Sequence, residues 1–357
     1  MDSEPARMGR GPPLKILILK PSSLGDVIHA LPVLRLLKLH LPQSRVFWWV
    51  ESGLAPLLED DPDLAGVFKF QRSRWAWPHR WAEVGRNVRA MRRERFDVAI
   101  DLQGLARSAF FAWSADAGLS IGLDNPREGA REGARAAYDL VPPRSPPGAH
   151  AVDRYLTVLP LLGVPIRSSF QWLPDRPRVA EKVREKWRPE GHRWITLLPG
   201  SRWPNKRWPI ESFTDLSRRL LSLSPALKVA ILGGNDDAAL GAEIAQVDPE
   251  RCLDLTGRTS LTEMIEWLRL GDLVITNDTG PMHVAAALDK QVIALFGPTD
   301  PDRTGPYRQR QNVLQTKQVS CVPCLKDHCT NAEPLACLRM ITPAHVFMEA
   351  SRRLPGL

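Results

Sequence analysis

The first candidate for chemistry is a carboxylate placed directly after an apolar run. Residues 14–19 are typical of a buried strand, and residues 22–29 (SSLGDVIH) follow with Asp26 among small side chains. Because ligands of open α/β sheets bind at the carboxyl ends of strands, Asp26 is a candidate general base. The alternative is structural, since Ser23 and Asp26 also form an S-x-x-D capping pattern at a helix start.

A second carboxylate, Asp101, stands near the end of another apolar run, residues 98–102, just before a Gln-Gly turn. We expect it to face the same sheet edge as Asp26. It is therefore a second candidate for the base.

A cationic loop follows an apolar run in the second half of the chain, at residues 198–208 (LPGSRWPNKRW). A Gly-Ser turn with Lys206 and Arg207 can hold a diphosphate through backbone N–H groups and positive charges. The alternative is a loop whose cations lie in water. The sequence contains no G-x-x-x-x-G-K-[ST] and no G-x-G-x-x-G pattern, which argues against an NTPase and a nicotinamide enzyme of the usual type.

Three further loops follow predicted strands. Residues 231–237 (ILGGNDD) offer acidic groups that could bind ribose hydroxyls or simply favour a helix N-terminus. Residues 276–287 (TNDTGPMHVAAA) lead through a Gly-Pro turn into a helix whose first N–H groups suit a leaving diphosphate. His283 in its first turn could donate to a phosphate or could simply be packed. Residues 296–306 form a third turn, whose Thr and Asp could line the same cleft.

Short apolar runs alternate with amphipathic segments along the chain, which is the βαβ rhythm of a doubly wound parallel sheet. The predicted strands are 14–19, 46–50, 67–70, 98–102, 194–198, 229–232, 252–255, 273–276 and 292–296. The predicted helices are 26–38, 81–95, 152–162, 210–222, 236–246 and 261–270.

The length of 357 residues exceeds one ordinary core, so the α/β pattern predicts two Rossmann-like domains facing across a cleft. Pro-rich segments place the boundary near residue 170. We expect a disordered lead at 1–13, a first domain at 14–170, a second at 171–342 and a C-terminal helix at 343–357. The lead does not resemble a signal peptide, and no apolar run reaches the roughly 20 residues of a membrane-spanning helix.

The formal charge of +8 is concentrated in residues 69–95, which contain nine Lys or Arg residues and only two Glu residues. The same stretch contains three Trp residues. Cations interleaved with Trp could bind nucleic acid, an anionic membrane surface or an acidic acceptor. The alternative is a solvated helix face.

The cysteines do not form the framework of a secreted disulfide protein, which favours a reducing compartment. Cys252 stands alone in an apolar run, and four others follow the pattern Cys321-x2-Cys324-x4-Cys329-x7-Cys337. Four thiolates meet the ligand count of a structural zinc ion or iron–sulfur cluster. The spacing matches no standard zinc finger, so a plain reduced cluster is the alternative.

Four blocks taken together resemble glycosyltransferase family 9, the bacterial ADP-heptose:lipopolysaccharide heptosyltransferases. They are residues 22–29, 198–209, 277–283 and 296–300. The resemblance implies the GT-B fold, with the acceptor in the N-terminal half and the nucleotide sugar in the C-terminal half. It also implies an inverting transfer from ADP-L-glycero-β-D-manno-heptose to the Kdo/heptose inner core of lipopolysaccharide, with no catalytic cofactor.

The resemblance also implies roles for individual residues. Asp26 is the general base and Lys206 neutralises the diphosphate. The donor-binding residues are Ser201, Arg207, Asp237, Met264, Asp278, Thr279, Gly280 and His283. The acceptor-binding residues are Ser23, Gly25, Arg72, Arg74, Gln103, Arg107 and Arg127. Because REGA is repeated at once, Arg131 is an alternative to Arg127.

The subtype stays open. Residues 101–108 and 150–154 resemble the enzyme that adds the first heptose, whereas the Cys-rich segment resembles second-heptose enzymes. The expected partners are ADP-heptose and a lipid A–Kdo acceptor, for a monomer that acts in the cytoplasm, peripherally on the anionic inner membrane, and binds no nucleic acid. Two competing hypotheses are a metal-binding interaction protein using the cysteine cluster and a nucleic-acid binder using residues 69–95.

Overall fold

The computed structural model describes residues 12–71, 81–123, 133–167 and 169–354. The chain divides into two compact units, each containing one parallel sheet. The first unit comprises Met1–Pro21, Val33–Arg144 and Thr157–Ser168, and the second comprises Ser22–Pro32, Ser145–Leu156 and Ser169–Leu357.

The first unit is built on a five-stranded sheet. Its strands are β1 (Lys15–Leu19), β2 (Arg45–Glu51), β3 (Leu64–Phe70), β4 (Val98–Asp101) and β5 (Leu119–Gly122). They lie in the order β3-β2-β1-β4-β5, with every neighbouring pair parallel. In the central strand, Leu17 lies opposite Phe47 on one side and Ala99 on the other. Central strands covered on both faces explain why the sequence shows continuous apolar runs here instead of alternation.

Three helices accompany this sheet: α1 (Leu24–His40), α2 (Trp81–Glu94) and α3 (Ala106–Ser114). The first turns of α1 belong to the second unit and the remainder to the first. In the core of the first unit, Trp49 stacks on Phe70 with ring centroids 4.3 Å apart and on Phe111 at 4.6 Å. Aromatic stacking of this kind fixes α3 against the sheet.

The second unit is built on a six-stranded parallel sheet. Its strands are β6 (Arg193–Leu198), β7 (Leu227–Ile231), β8 (Cys252–Asp254), β9 (Leu273–Asn277), β10 (Val292–Phe296) and β11 (Val313–Gln315). The order β11-β10-β9-β6-β7-β8 makes β6 and β9 neighbours, with the chain running outwards from them in both directions. A parallel sheet of this topology leaves a crevice at the carboxyl ends of those two strands.

Along the chain, the helices of the second unit precede, separate and follow its strands. They are α4 (Ala151–Leu156), α5 (Pro177–Trp187), α6 (Ile210–Leu221), α7 (Ala238–Ala245), α8 (Leu261–Leu270), α9 (Gly280–Ala287), α10 (Pro301–Thr304), α11 (Ala336–Arg339) and α12 (Pro343–Arg353). The start of α8 is a capping box, because Ser260 Oγ accepts from Glu263 N and the Glu263 carboxylate accepts from Ser260 N.

All nine predicted strands are confirmed within a few residues, and the α/β prediction with parallel sheets is confirmed. The predicted helix at 152–162 is wrong as one element, because α4 is followed by a separate 3-10 turn, Leu159–Leu162, which contains Pro160. The short strands β5 and β11 and helices α3 and α5 were not predicted. In the described part of the chain, no helix is long and apolar enough to cross a lipid bilayer.

Candidate active site

A cavity of about 420 Å³ lies within the second unit, bordered by the loops that follow β6 and β9. The adjacent positions of those strands bring the two loops together, as the topology of a doubly wound sheet requires. The first turns of α1 and α9 complete much of the wall. The predicted residues that line the cavity are Ser23, Gly25, Asp26, Ser201, Lys206, Asp278, Thr279, Gly280 and His283.

Asp26 is half-buried and lines this cavity from the first turn of α1. Its Oδ2 accepts hydrogen bonds from Ser23 N at 2.9 Å and from Ser23 Oγ at 2.8 Å, so the capping interaction is present. Its Oδ1 accepts a longer bond, 3.3 Å, from the hydroxyl of Tyr155. Asp26 therefore caps the helix and also lines the cavity, and the capping bonds fix the orientation of its carboxylate.

Lys206 forms an ion pair with Asp278, with Nζ 2.6 Å from Oδ2. The same ammonium lies 4.6 Å from the ring centroid of Trp203, within the range of a cation–π contact. Asp278 also accepts from Thr299 Oγ1 at 2.6 Å, and its carbonyl accepts from Ser201 Oγ at 3.1 Å. The loop after β6 thus presents an oriented cation to the cavity.

Asn277, the last residue of β9, ties the two loops together. Its Oδ1 accepts from Trp208 N at 3.0 Å and its Nδ2 donates to the carbonyl of Pro199 at 2.7 Å. Arg207 donates from Nε to the carbonyl of Ser201 at 2.8 Å, so it supports the loop from within. Asn277 had no predicted role of its own, although a buried amide at a strand end is a usual loop anchor.

The N-terminus of α9 approaches the first turn of α1 closely. A Cβ added at Gly25 would lie 2.3 Å from Cδ2 of His283, and one at Gly280 would lie 3.0 Å from Cβ of Leu24. A side chain at Gly25 would therefore displace His283, and one at Gly280 would make a tight contact with Leu24. The N-terminus of α9 lies at the cavity wall, and the positive end of its helix dipole suits an anion.

A histidine pair also lines the cavity. His29 Nε2 and His283 Nδ1 are 2.9 Å apart, and the rings of His29 and His150 meet edge to face at 5.0 Å. Burial lowers the pKa of His283 to about 4, and burial also lowers the pKa of His150. His283 is therefore a neutral imidazole at neutral pH. His29 was missed by the sequence analysis, although its spacing of three from Asp26 places both on one helix face.

The remaining predicted donor residues lie in the second unit without lining the cavity. Asp237 accepts from Gly234 N at 3.0 Å, and its carboxylate lies against Gly200, where a Cβ would approach within 2.3 Å. Met264 is buried on α8. The predicted acceptor residues Arg72, Arg74 and Arg127, with the alternative Arg131, lie outside the described residues.

Asp101 is fully buried in the first unit. Its Oδ2 accepts from the hydroxyl of Tyr138 at 2.7 Å, and its Oδ1 accepts from Gln103 N at 2.8 Å and Gly104 N at 3.1 Å. Burial raises the pKa of Asp101 although these bonds oppose the shift. The carboxylate of Asp101 therefore stabilises the turn that follows β4.

Arg107, one of the predicted acceptor-binding residues, is exposed on α3.

The five cysteines are all within the described residues and are free thiols. Cys252 is buried in β8, where burial raises the pKa of its thiol to about 11. Cys321, Cys324, Cys329 and Cys337 line a second cavity, of about 20 Å³. In the described part of the chain, no three His, Cys, Asp or Glu side chains already stand in a metal-binding arrangement.

Comparison with known proteins supports the resemblance derived from the sequence. The family profile described as glycosyltransferase family 9 (heptosyltransferase) matches residues 78–334. Lipopolysaccharide heptosyltransferase 1 of Pseudomonas aeruginosa is 31% identical over 328 residues, which cover 89% of this chain and 88% of that protein. Lipooligosaccharide heptosyltransferase 2 of Haemophilus influenzae is 27% identical over 330 residues, covering 85% and 88%.

Solved structures show the same fold. The ADP-heptose lipopolysaccharide heptosyltransferase II of Escherichia coli aligns with a TM-score of 0.76 at 23% identity, over 95% of this chain and 98% of that one. The Escherichia coli heptosyltransferase WaaC with ADP aligns with a TM-score of 0.75 at 22% identity, over 96% and 100%. The predicted fold class and family are therefore confirmed. The chain belongs to glycosyltransferase family 9 and is a heptosyltransferase enzyme.

Proposed function

We propose that this enzyme transfers a heptose from ADP-L-glycero-β-D-manno-heptose to the inner core of lipopolysaccharide. The observation that carries the proposal is one cavity that combines the carboxylate of Asp26, the ammonium of Lys206 and the N-terminus of α9. The structural relative WaaC has been solved with ADP and with ADP-2-deoxy-2-fluoro heptose, which supports this choice of donor.

The donor diphosphate is assigned to the wall formed by the loop after β6 and by α9. Lys206 supplies one positive charge and is held by the Asp278 carboxylate, which also accepts a hydrogen bond from Thr299. Arg202 lines the same cavity and is exposed, with no hydrogen-bond or ion-pair partner among the described residues. Oriented donors of this kind stabilise the charge that develops on a leaving diphosphate.

The transfer is a single displacement with inversion. Asp26 accepts the proton of the acceptor hydroxyl while its oxygen forms a bond to the anomeric carbon. The bond from that carbon to the β-phosphate oxygen breaks, and ADP leaves with the electron pair. Ser23 holds one oxygen of Asp26, so the carboxylate meets the acceptor already oriented.

The test of this assignment is Asp26→Asn with ADP-heptose and a lipid A–Kdo acceptor. Loss of a general base is expected to lower kcat by about 10²- to 10⁴-fold. The amide oxygen still accepts from Ser23, so thermal stability should change little. Asp215→Asn removes a carboxylate from the surface of α6 and serves as the matched control. Activity of Asp26→Asn within a few-fold of the parent would refute the base assignment.

The acceptor step is proposed to be addition of the first heptose. The Pseudomonas aeruginosa relative, which is 31% identical, is a heptosyltransferase 1. The Haemophilus influenzae relative, which is 27% identical, is a heptosyltransferase 2. A screen of heptose-free and one-heptose cores tests the step. Product formed only on the one-heptose core would show that the enzyme adds the second heptose instead.

We propose that α3 brings the enzyme to the anionic cytoplasmic surface of the inner membrane. Phe110 and Trp113 on this helix are 48% and 64% exposed, and Arg107 is exposed on the same helix. Aromatic side chains with a neighbouring cation suit a lipid interface. Co-sedimentation with anionic vesicles should weaken in a Phe110→Ser, Trp113→Ser double variant, and unchanged co-sedimentation would exclude α3 as the contact.

A further inference from the structure

The segment that joins β11 to α11 is unusually long for a connection without regular structure. It covers residues 316–335, above the roughly 12–15 residues beyond which such loops are uncommon unless functional. Val319 and Val322 pack against the core of the second unit, and Leu325 N donates to the carbonyl of Pro298 at 2.7 Å. These few contacts leave most of the segment exposed, so a further constraint would add stability.

Four cysteines surround a small cavity where this segment meets α11. Cys321, Cys324 and Cys329 from the segment and Cys337 from α11 line the same small cavity. The described residues that form the rest of its wall include no carboxylate, amine or imidazole. A site that offers only thiol sulfur selects soft or borderline transition metals over magnesium or calcium.

Two of the sulfurs already accept hydrogen bonds. Leu335 N donates to Cys329 Sγ at 3.4 Å, and Asn331 Nδ2 donates to Cys321 Sγ at 3.7 Å. Such donors favour a thiolate over a thiol and orient it, as partners of ligating groups do in metal sites. Cys337 is nearly buried beside Gly297, where a Cβ would come within 3.1 Å of the sulfur, so glycine leaves the room that this ligand needs.

We propose that Cys321, Cys324, Cys329 and Cys337 bind one transition-metal ion, zinc or iron, as a tetrathiolate. A cavity of about 20 Å³ exceeds the ~10–15 Å³ that one water requires, so it has room for a single ion. The thiols do not yet form a closed ligand set. Binding therefore draws the three loop sulfurs towards Cys337, and each coordinating thiol releases its proton to solvent.

The site is connected to the active-site loop. Asn205, the residue before Lys206, is buried, lines the cysteine cavity and donates from Nδ2 to the carbonyl of Lys326 at 2.9 Å. The ion thus stabilises a segment that supports the loop carrying Lys206. Metal binding itself does not depend on the proposed donor or acceptor.

The direct test is metal analysis of the full-length protein, prepared without a histidine tag and without chelator. We expect about one zinc or iron ion per chain, as a tetrathiolate site holds one. Zinc and iron are distinguished by mass spectrometry and by the visible absorption that iron thiolates show. Cys324→Ser and Cys329→Ser should lose the ion, whereas Cys252→Ser, which removes the separate thiol of β8, should keep it.

Thiol titration of the parent protein keeps the proposal testable even if these variants fail to fold. Chelator treatment should expose four additional reactive thiols, and added cobalt should give a thiolate-to-cobalt absorption band. The proposal is overturned if the protein contains negligible metal, binds no added zinc, iron or cobalt, and shows the same thiol reactivity with and without chelator. Those results would identify a plain reduced cluster, and they would leave the transferase assignment untouched.

Discussion

Asp26 and Asp101 are similar in sequence context and opposite in environment. Each lies near the carboxyl end of a predicted strand, and each accepts a hydrogen bond from a tyrosine hydroxyl, Tyr155 at 3.3 Å and Tyr138 at 2.7 Å. Asp101 is fully buried, whereas Asp26 lines a cavity. A carboxylate at a strand end therefore becomes available for chemistry only where its neighbours leave it accessible.

The surroundings of Asp101 explain why it is kept away from solvent. The Tyr138 ring lies against Gly122, where a Cβ would come within 2.3 Å, so ring and backbone close over the carboxylate. Because the bonds from Gln103 and Gly104 satisfy its other oxygen, burial is tolerated. Charges facing the cavity should thus affect catalysis, and polar groups satisfied inside should affect stability.

After Asp26→Asn, Lys206→Gln should give the largest loss of kcat among the residues that line the cavity. Removing an oriented cation from a leaving-group site costs about 10²- to 10³-fold in kcat. Saturating-donor kinetics measure the loss. Lys186 also lies over a tryptophan ring, that of Trp187 at 4.0 Å, but away from the cavity lining, so Lys186→Gln is the matched control. Equal kcat values for the two variants would contradict the assignment.

The pH dependence of stability should also distinguish the cavity region, through His283. Its folded pKa of about 4 lies below the ordinary 6.5, so between these values the unfolded chain binds a proton that the folded protein does not. The free energy of unfolding should therefore fall as pH drops from about 6.5 to about 4, by on the order of 3 kcal/mol. His150, whose pKa is also lowered, adds in the same direction.

Denaturant unfolding at several pH values checks this effect. His283→Gln should flatten the slope between pH 6.5 and 4. The change of slope is the readout, since the substitution also removes the contact with His29 and lowers stability at every pH. An unaltered slope would show that His283 is not the buried group that resists protonation.

Tyr138→Phe should test the role of the buried carboxylate, Asp101, to which Tyr138 donates. The ring is kept, but a buried oxygen of Asp101 loses its donor, which costs about 1–3 kcal/mol of unfolding free energy. Because Asp101 does not line the cavity, kcat should stay within a few-fold of the parent. A large loss of kcat without loss of stability would place Asp101 in the reaction after all.

Tyr155→Phe should have the smallest effect of these substitutions. Unlike Tyr138→Phe, it should lower kcat and leave stability nearly unchanged. The bond to Asp26 is long, so its removal is worth about 1 kcal/mol, or roughly fivefold in kcat, through poorer orientation of the carboxylate. Steady-state kinetics and thermal unfolding measured together separate the two tyrosines. If Tyr155→Phe changed stability alone, the contact would be structural in the same way as that of Tyr138.

Most of the fold could be predicted from the sequence because it depends on local periodicity. Apolar runs of the right length predicted the strands from β1 to β4 and from β6 to β10. The strands β5 and β11 were not predicted, because LSIG and VLQ contain no apolar run that stands out from the surrounding sequence.

The sequence by itself determined the element types, the polar loops that follow the strands and the family to which the chain belongs. Only the tertiary structure decided which loops meet. The strand order places β6 beside β9, so Lys206 and Asp278 form an ion pair although 72 residues separate them. It also decided that Tyr138 closes over Asp101 and that four thiols share one cavity. Local patterns constrain neighbours along the chain, whereas strand order and packing arise from the whole core.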